Sequence, residues 1–369
     1  METRSMTRTC FRRKIFCLLT FLIVWSVDGF AISENVSAGV VATLAISGDN
    51  VALGVPVAQG AEATLNVPNS FNLGSTTGLS TGASVSSQST PNTGIVNFLG
   101  NSVVTGTMGA VPGQVLDHIT GGAGGTTATF NGTVSSVFIG FTGASTMTFN
   151  ATTSGALNFN TFNGTAVLGA GVTYSGAATT TAPNTGALTL NGASSYVGAI
   201  GSAPFFLNQI SLNGNASIVG PIASHNIVVG ANTLSQVGAV SFPVSATMTV
   251  RALSDAAFGS INAPGSAINF TTALQVNMLV DPGVILSGVP LQVVTGSGPG
   301  SAPITVTSNN PGFTFTGLNP VGTGNVLIFP TTVPPVPTVP INNRAMLLLL
   351  AMLLGLSGVL AVSRRSRQP

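Results

Sequence analysis

Residues 190–198 read LNGASSYVG and residues 212–220 read LNGNASIVG, so one short pattern returns after 22 positions. A chain that repeats at this interval is constrained to build one small unit many times, each burying its apolar side against the next. A longer pairing joins PNTGIVNFLGNSVVTGTMG at 91–109 to PNTGALTLNGASSYVGAIG at 183–201, 19 positions each with eight identities. The triplet FNG also recurs, at 130–132 and 162–164. TATF at 127–130, TMTF at 146–149, ALTL at 187–190 and QISL at 209–212 alternate small or polar residues with large ones. That is the period of a strand with one buried face. Asn-Gly follows several of these runs, and both residues accept the positive φ of a tight turn.

Strand, turn and strand at 19–22 residues predict an all-β chain whose body is a repetitive parallel β-helix. Residues 91–300 would make about ten coils, roughly 50 Å long at the inter-strand spacing. Small apolar residues are expected inside, with Thr, Ser and Asn outside. Leu190 and Leu212 should stack on adjacent parallel strands, and Phe98 and Leu190 should occupy equivalent inward positions. Short strands at this spacing also suit β-sandwich domains, which stand as the alternative.

Charge is nearly missing. Only 5% of the 369 residues are charged, against roughly 25% in ordinary soluble domains. Arg4, Arg8, Arg12, Arg13 and Lys14 crowd one end, and Arg344, Arg364, Arg365 and Arg367 crowd the other. Between them stand Glu34, Asp49, Glu62, Asp117, Asp255 and Asp281 with a lone Arg251. This body has no basic cluster to neutralise phosphates, so nucleic acid is not an expected partner.

The two ends read as targeting devices. Residues 1–31 have the order of a signal peptide: a basic stretch to Lys14, an apolar run from Ile15 to Val27, and the small residues around Gly29-Phe30-Ala31. An uncleaved anchor helix is the alternative, although the run is short for a span. Cys10 and Cys17 both lie in this segment, which leaves the body without cysteine. Residues 32–90 form a Ser/Thr/Gly-rich β region, and residues 91–330 form the repetitive β-rich surface domain. A Pro-rich spacer follows at 331–344, and its VPPVPTVPI at 333–341 must be extended because proline fixes φ. Residues 345–362, AMLLLLAMLLGLSGVLAV, are 18 apolar or small residues, roughly 27 Å as one transmembrane α-helix. Arg364, Arg365 and Arg367 in the basic tail 363–369 would stay cytoplasmic by the positive-inside rule. That places the body outside, with the membrane as partner.

The tail resembles the IPTL-type C-terminal sorting signals of Gram-negative surface proteins. Those combine a Val/Ile-Pro-Thr-Leu motif, an apolar helix and a terminal arginine cluster. Val336, Pro337, Thr338 and Val339 occupy the motif, while Asn342, Asn343 and Arg344 stand where that family carries a tryptophan. The resemblance implies recognition by an exosortase-like membrane transpeptidase; a plain stop-transfer anchor is the alternative. The body is similar to the passenger regions of rickettsial-type surface autotransporters. NTGALTLNGASSYVGAIGSAPFFLNQISLNG at 184–214 and GVPLQVVTGSGPGSAPITVTSNNPGFTFTGLNP at 288–320 carry that likeness. It implies a repetitive surface-exposed passenger. The family's C-terminal β-barrel is replaced here by a single helix, so self-secretion is not implied.

Candidates for chemistry are few. Gly78-Leu79-Ser80-Thr81-Gly82 matches a nucleophile-elbow string but lies in a Ser/Thr/Gly run without the strand and helix an elbow needs. Asp117-His118 and His225 are the only acid–imidazole material. Neighbours on a strand face opposite ways, so Asp117 should not orient His118, and a solvated turn is the expected home of both. The body has no cysteine, no His-x-x-x-His and no clustered Asp loop, so no metal or cofactor is expected. Arg251 and Asp255 are spaced to pair across one helical turn. Asn-x-Ser/Thr strings at Asn35, Asn131, Asn150, Asn163, Asn215 and Asn269 are what this composition produces by chance.

The expected function is therefore non-enzymatic: an exported, membrane-anchored or sorted structural or adhesin-like surface protein. Its hydroxyl- and amide-lined face would meet a host or surface ligand, or another copy of itself, since low charge removes the usual guard against association. The alternatives are a polysaccharide-acting β-helix enzyme, which would need carboxylates gathered around a groove, and a passive spacer or matrix protein.

Overall fold

The computed structural model describes residues 101–332 apart from 105–106, 110–114, 122–123, 244, 271–272 and 301, together with Met352 and six short strands between residues 44 and 98. The named elements are 29 β-strands, and from Ile95 to Ser308 successive coils pair in parallel. A sandwich is built on antiparallel pairs. The body is thus a parallel, β-helix-like stack.

Each coil crosses three faces. On the first and longest, Thr127–Phe130, Thr146–Phe149, Thr165–Leu168, Thr185–Asn191 and Leu207–Asn213 pair in that order. The ladder runs on through residues 226–230, Thr247–Ala252 and Leu274–Val280 to Ile304–Ser308. Ser102–Val104 lies beneath its start, and the ten strands together extend roughly 43 Å. The second face stacks Thr173–Ser175, Ser195–Val197, Ala216–Val219 and Thr233–Val237. The third stacks Leu116–Gly121, residues 138–141 and 156–158, and Ala178–Thr179, then continues through Ile200 and Ile222 to Val240–Phe242.

Alternation along each strand decides what is buried. Leu190 and Leu212 are direct partners on parallel strands, as the 22-residue repeat predicts. A second inward file runs Ala128, Met147, Ala166, Leu188, Ile210 and Ile227, each paired with the next. Small residues such as Ala128, Ala166 and Val250 are buried as expected, but they do not fill the interior alone. Phe130, Phe141, Phe149, Phe159, Tyr174 and Tyr196 are all fully buried. Three faces enclose a cross-section too wide for small side chains alone to fill at native density. Stacking of coils stacks their rings: Phe130 on Phe149 at 5.2 Å, Phe141 on Phe159 at 4.9 Å, and Tyr174 on Tyr196 at 5.1 Å. Such ring pairs add about 0.5–1.5 kcal/mol each beyond the burial itself.

Phe98 and Leu190 are both buried but are not equivalent. Ile95–Phe98 pairs with Leu116–Gly121 on the third face, whereas Leu190 sits on the first. The two PNTG strings therefore precede different sides of the coil.

Glycine turns the corner between the second and third faces. Gly198 and Gly220 have φ of +147° and +141°, and a Cβ on either would lie 2.1 or 2.3 Å from the carbonyl oxygen of the glycine one coil earlier. Only glycine occupies that backbone region at low cost, and only glycine leaves room for the neighbouring coil. Asparagine marks the corner between the first and second faces. Asn150 Nδ2 donates to Asn131 Oδ1 at 2.8 Å, and Asn213 Nδ2 donates to Asn191 Oδ1 at 3.1 Å.

The stack ends in a change of sense. Val326–Thr332 runs antiparallel to both Leu291–Ser297 and Phe313–Leu318, which withdraws these strands from the open parallel edge. Of the helix expected at 345–362 only Met352 is among the described residues.

Candidate functional site

The outward side of the first face is the longest of the three surfaces that the described residues build by repetition. Because side chains alternate, every inward Ala, Met, Leu or Ile on this ladder is flanked by two outward positions. The outward pairs are Thr127 and Thr129, Thr146 and Thr148, Thr165 and Val167, and Ala187 and Thr189. Gln209 and Ser211, then Asn226 and Val228, continue them, followed by Thr247 and Thr249 and, further along, Thr305 and Thr307. All of these are exposed or half-exposed. No Asp, Glu, Lys or Arg occurs from 119 to 250, so the surface is uncharged until Arg251. The strings TATF and TMTF announced outward polar positions; what the sequence did not show is that they form two continuous files.

The titratable groups are scattered. Asp117 and His118 lie in the strand Leu116–Gly121 and not in a turn. His118 Nδ1 is 2.8 Å from an Asp117 carboxylate oxygen, so the pair is closer than strand alternation led us to expect, because both half-exposed side chains bend together at the surface. The angle is wrong for a hydrogen bond, and Nδ1 has no other partner. The imidazole leans on the Phe138 ring at 4.8 Å. The nearby Ser136 hydroxyl is spent on backbone carbonyls of residues 116, 117 and 138. His225 lies in Ile222–Gly230, at the passage from third face to first.

Arg251 does not pair with Asp255, and no helical turn is present there. Its guanidinium makes a two-point contact with Asp281 one coil on, Nε donating to Oδ1 at 3.2 Å and the second nitrogen reaching Oδ2. That hydrogen bonding, then the Coulombic attraction, raises the guanidinium pKa above its ordinary value. Asp255 instead accepts from the Ser287 backbone N–H through both oxygens, at 3.1 and 3.0 Å. Three of the Asn-x-Ser/Thr asparagines are structural. Asn131 and Asn150 bond each other, and Asn215 Oδ1 accepts from the Thr233 N–H at 2.8 Å.

Among the described residues no three of His, Cys, Asp and Glu gather where a metal could sit, and no helix is long and apolar enough to cross a membrane. Ser80, the motif residues Val336, Pro337, Thr338 and Val339, and the arginines Arg364, Arg365 and Arg367 lie outside the described residues. No family model matches the chain, and no curated protein matches it in sequence.

Proposed function

We propose that this chain is an exported surface protein that works by display and not by catalysis. Residues 1–31 would direct export, and the tail from Val336 through Arg367 would hold the body at the membrane or pass it to an exosortase-like enzyme. The single observation that carries the reading is the uncharged double file of hydroxyl, amide and methyl groups along the first face. A surface repeated at every coil suits contact with something extended, in the manner of an adhesin or a structural layer. From residue 119 to 250 it carries no Asp, Glu, Lys or Arg, whereas small-molecule chemistry draws on converging charged groups.

The test is localisation. The full chain carrying an epitope tag inserted in the exposed loop at 281–290 should fractionate with membranes and be reached by antibody on intact cells. Deleting residues 344–369 should release the body. Recovery of the full chain as a soluble cytoplasmic protein would overturn the reading.

A further inference from the structure

We propose that the first face between residues 127 and 167 is a binding surface for crystalline water, and that the displayed body attaches to ice or arrests its growth. The proposal deepens the display reading by naming what the face contacts, and it rests on that reading for where the contact occurs.

Six outward side chains carry it: Thr127 with Thr129, Thr146 with Thr148, and Thr165 with Val167. Within a row the two are separated by two strand residues, roughly 6.7 Å, and successive rows lie about 4.8 Å apart. Both pairings run without a register shift, whereas the ladder slips further on, between Val228 and Gly230. The result is a near-rectangular grid fixed by the backbone. Its two repeats lie close to those of the oxygen lattice on a prism face of hexagonal ice.

The chemistry at the grid points agrees. β-Branched side chains are stiff at χ1, so hydroxyl and methyl hold fixed directions without an ordering cost on contact. Val167 keeps the shape of threonine with a methyl in place of the hydroxyl. Among the described residues, the hydroxyls of Thr127, Thr129, Thr146, Thr148 and Thr165 bond to no protein group, so they face water. At the other end of the face the Thr247 hydroxyl is tied to Asn226, and that of Thr307 to Asn277 at 2.7 Å. The methyls order the water above them, while the hydroxyls fix its position by hydrogen bonds. A charged group would instead gather water radially around itself, and the sequence has none from 119 to 250.

The support beneath is rigid. Ala128, Met147 and Ala166 are buried directly under the grid, Phe130 stacks on Phe149 at its edge, and the Asn131–Asn150 bond pins the adjoining corner. A crystalline polysaccharide is the less favoured solid. It presents sugar rings, which pack on aromatic planes, and none of the six grid residues is aromatic.

The experiment uses the full chain, fluorescently labelled and held in detergent micelles, with labelled empty micelles as the blank. Ice is grown slowly through the solution, and the fraction of label taken into the solid is measured. Wild type should partition into ice and slow recrystallisation. The double variant T129Y/T148Y should reduce uptake by about tenfold or more, the loss of one modest binding interaction. The second-face control S217Y should behave as wild type, with melting curves of all three superimposable. Exclusion of folded wild type from ice would overturn the proposal, as would uptake of the double variant at the wild-type level. If wild type is excluded but self-associates in a way that T129Y/T148Y abolishes, the occupant is a second copy and the ice proposal fails. Surface exposure of the tagged chain would then still stand or fall by its own assay.

Discussion

The early coils and the late coils solve the same problem differently. Between Thr127 and Asn213 each coil takes 19 or 22 residues, the corners are Gly and Asn, and no formal charge is present. From Thr247 onward the partners on the first face are 28 and then 30 residues apart. The surplus leaves the ladder as loops around 253–258 and 281–290, with Asp255 and Asp281 in them and Arg251 at the strand end just before the first. Inside the regular stack most strand N–H groups bond a carbonyl of the coil beside them, so polar side chains have less to satisfy. A loop that leaves the ladder loses that neighbour. Asp255 then takes the Ser287 N–H, and Arg251 with Asp281 clips one loop base to the next coil. Charge is absent where the geometry is self-sufficient and returns where it is not.

The sharpest way to break this comparison is at the glycine corner. Gly198→Val should destabilise by at least about 4 kcal/mol or prevent folding, because the conformation and the space are both closed. Gly283, at φ +84° with open space around a notional Cβ, lies in a late loop, and Gly283→Ala should cost only about 1–2 kcal/mol. Denaturant unfolding of the two variants decides the matter: equal losses would mean the corner is not sterically fixed. Phe149→Ala comes next, with a loss of about 3–5 kcal/mol from the ring file, read as a lower unfolding midpoint.

The tyrosines give a smaller and pH-dependent effect. Burial raises the pKa of both phenols, and the mutual repulsion of the two anions adds to the shift at Tyr174. The folded state therefore retains protons that the unfolded state releases. The stabilisation is whole below the unfolded value near pH 10 and is lost as pH climbs beyond it. Tyr174→Phe should cost about 1 kcal/mol at neutral pH, since its hydroxyl donates to the Gly155 carbonyl. Tyr196→Phe should cost nothing there, its hydroxyl being buried without a partner, and should shallow the alkaline unfolding curve measured by circular dichroism. Smallest of all is Arg251→Ala. The guanidinium is nearly half exposed, so the midpoint should be indistinguishable from wild type at physiological salt.

Much of the first face was legible before any coordinates. TATF, TMTF, ALTL and QISL each bury their second and fourth residues, and the Leu190–Leu212 pairing follows from LNG recurring at 22. Much of the other two faces was not legible, because strands as short as Ala178–Thr179 and Ser195–Val197 do not show a period. That is why Phe98 was matched to Leu190: a PNTG string does not reveal which of three sides it precedes. The grid was half visible, since outward polarity is a matter of sequence but register between coils is a matter of pairing. Asp117 and His118 show a local limit. Backbone alternation separates neighbouring side chains, yet at an exposed surface their tips can still meet.

The glycine corner also bears on how such a chain changes over generations. Each turn of the ladder meets its neighbours through the same small step, so removing one whole turn would bring Ala166 against Ile210 in place of Leu188, with Gly176 beneath Gly220. Both junctions already have their like elsewhere in the stack. Loss of one whole turn from the regular segment is therefore expected to keep the register on both sides of the junction, so that body length can change while the antiparallel terminus is left untouched.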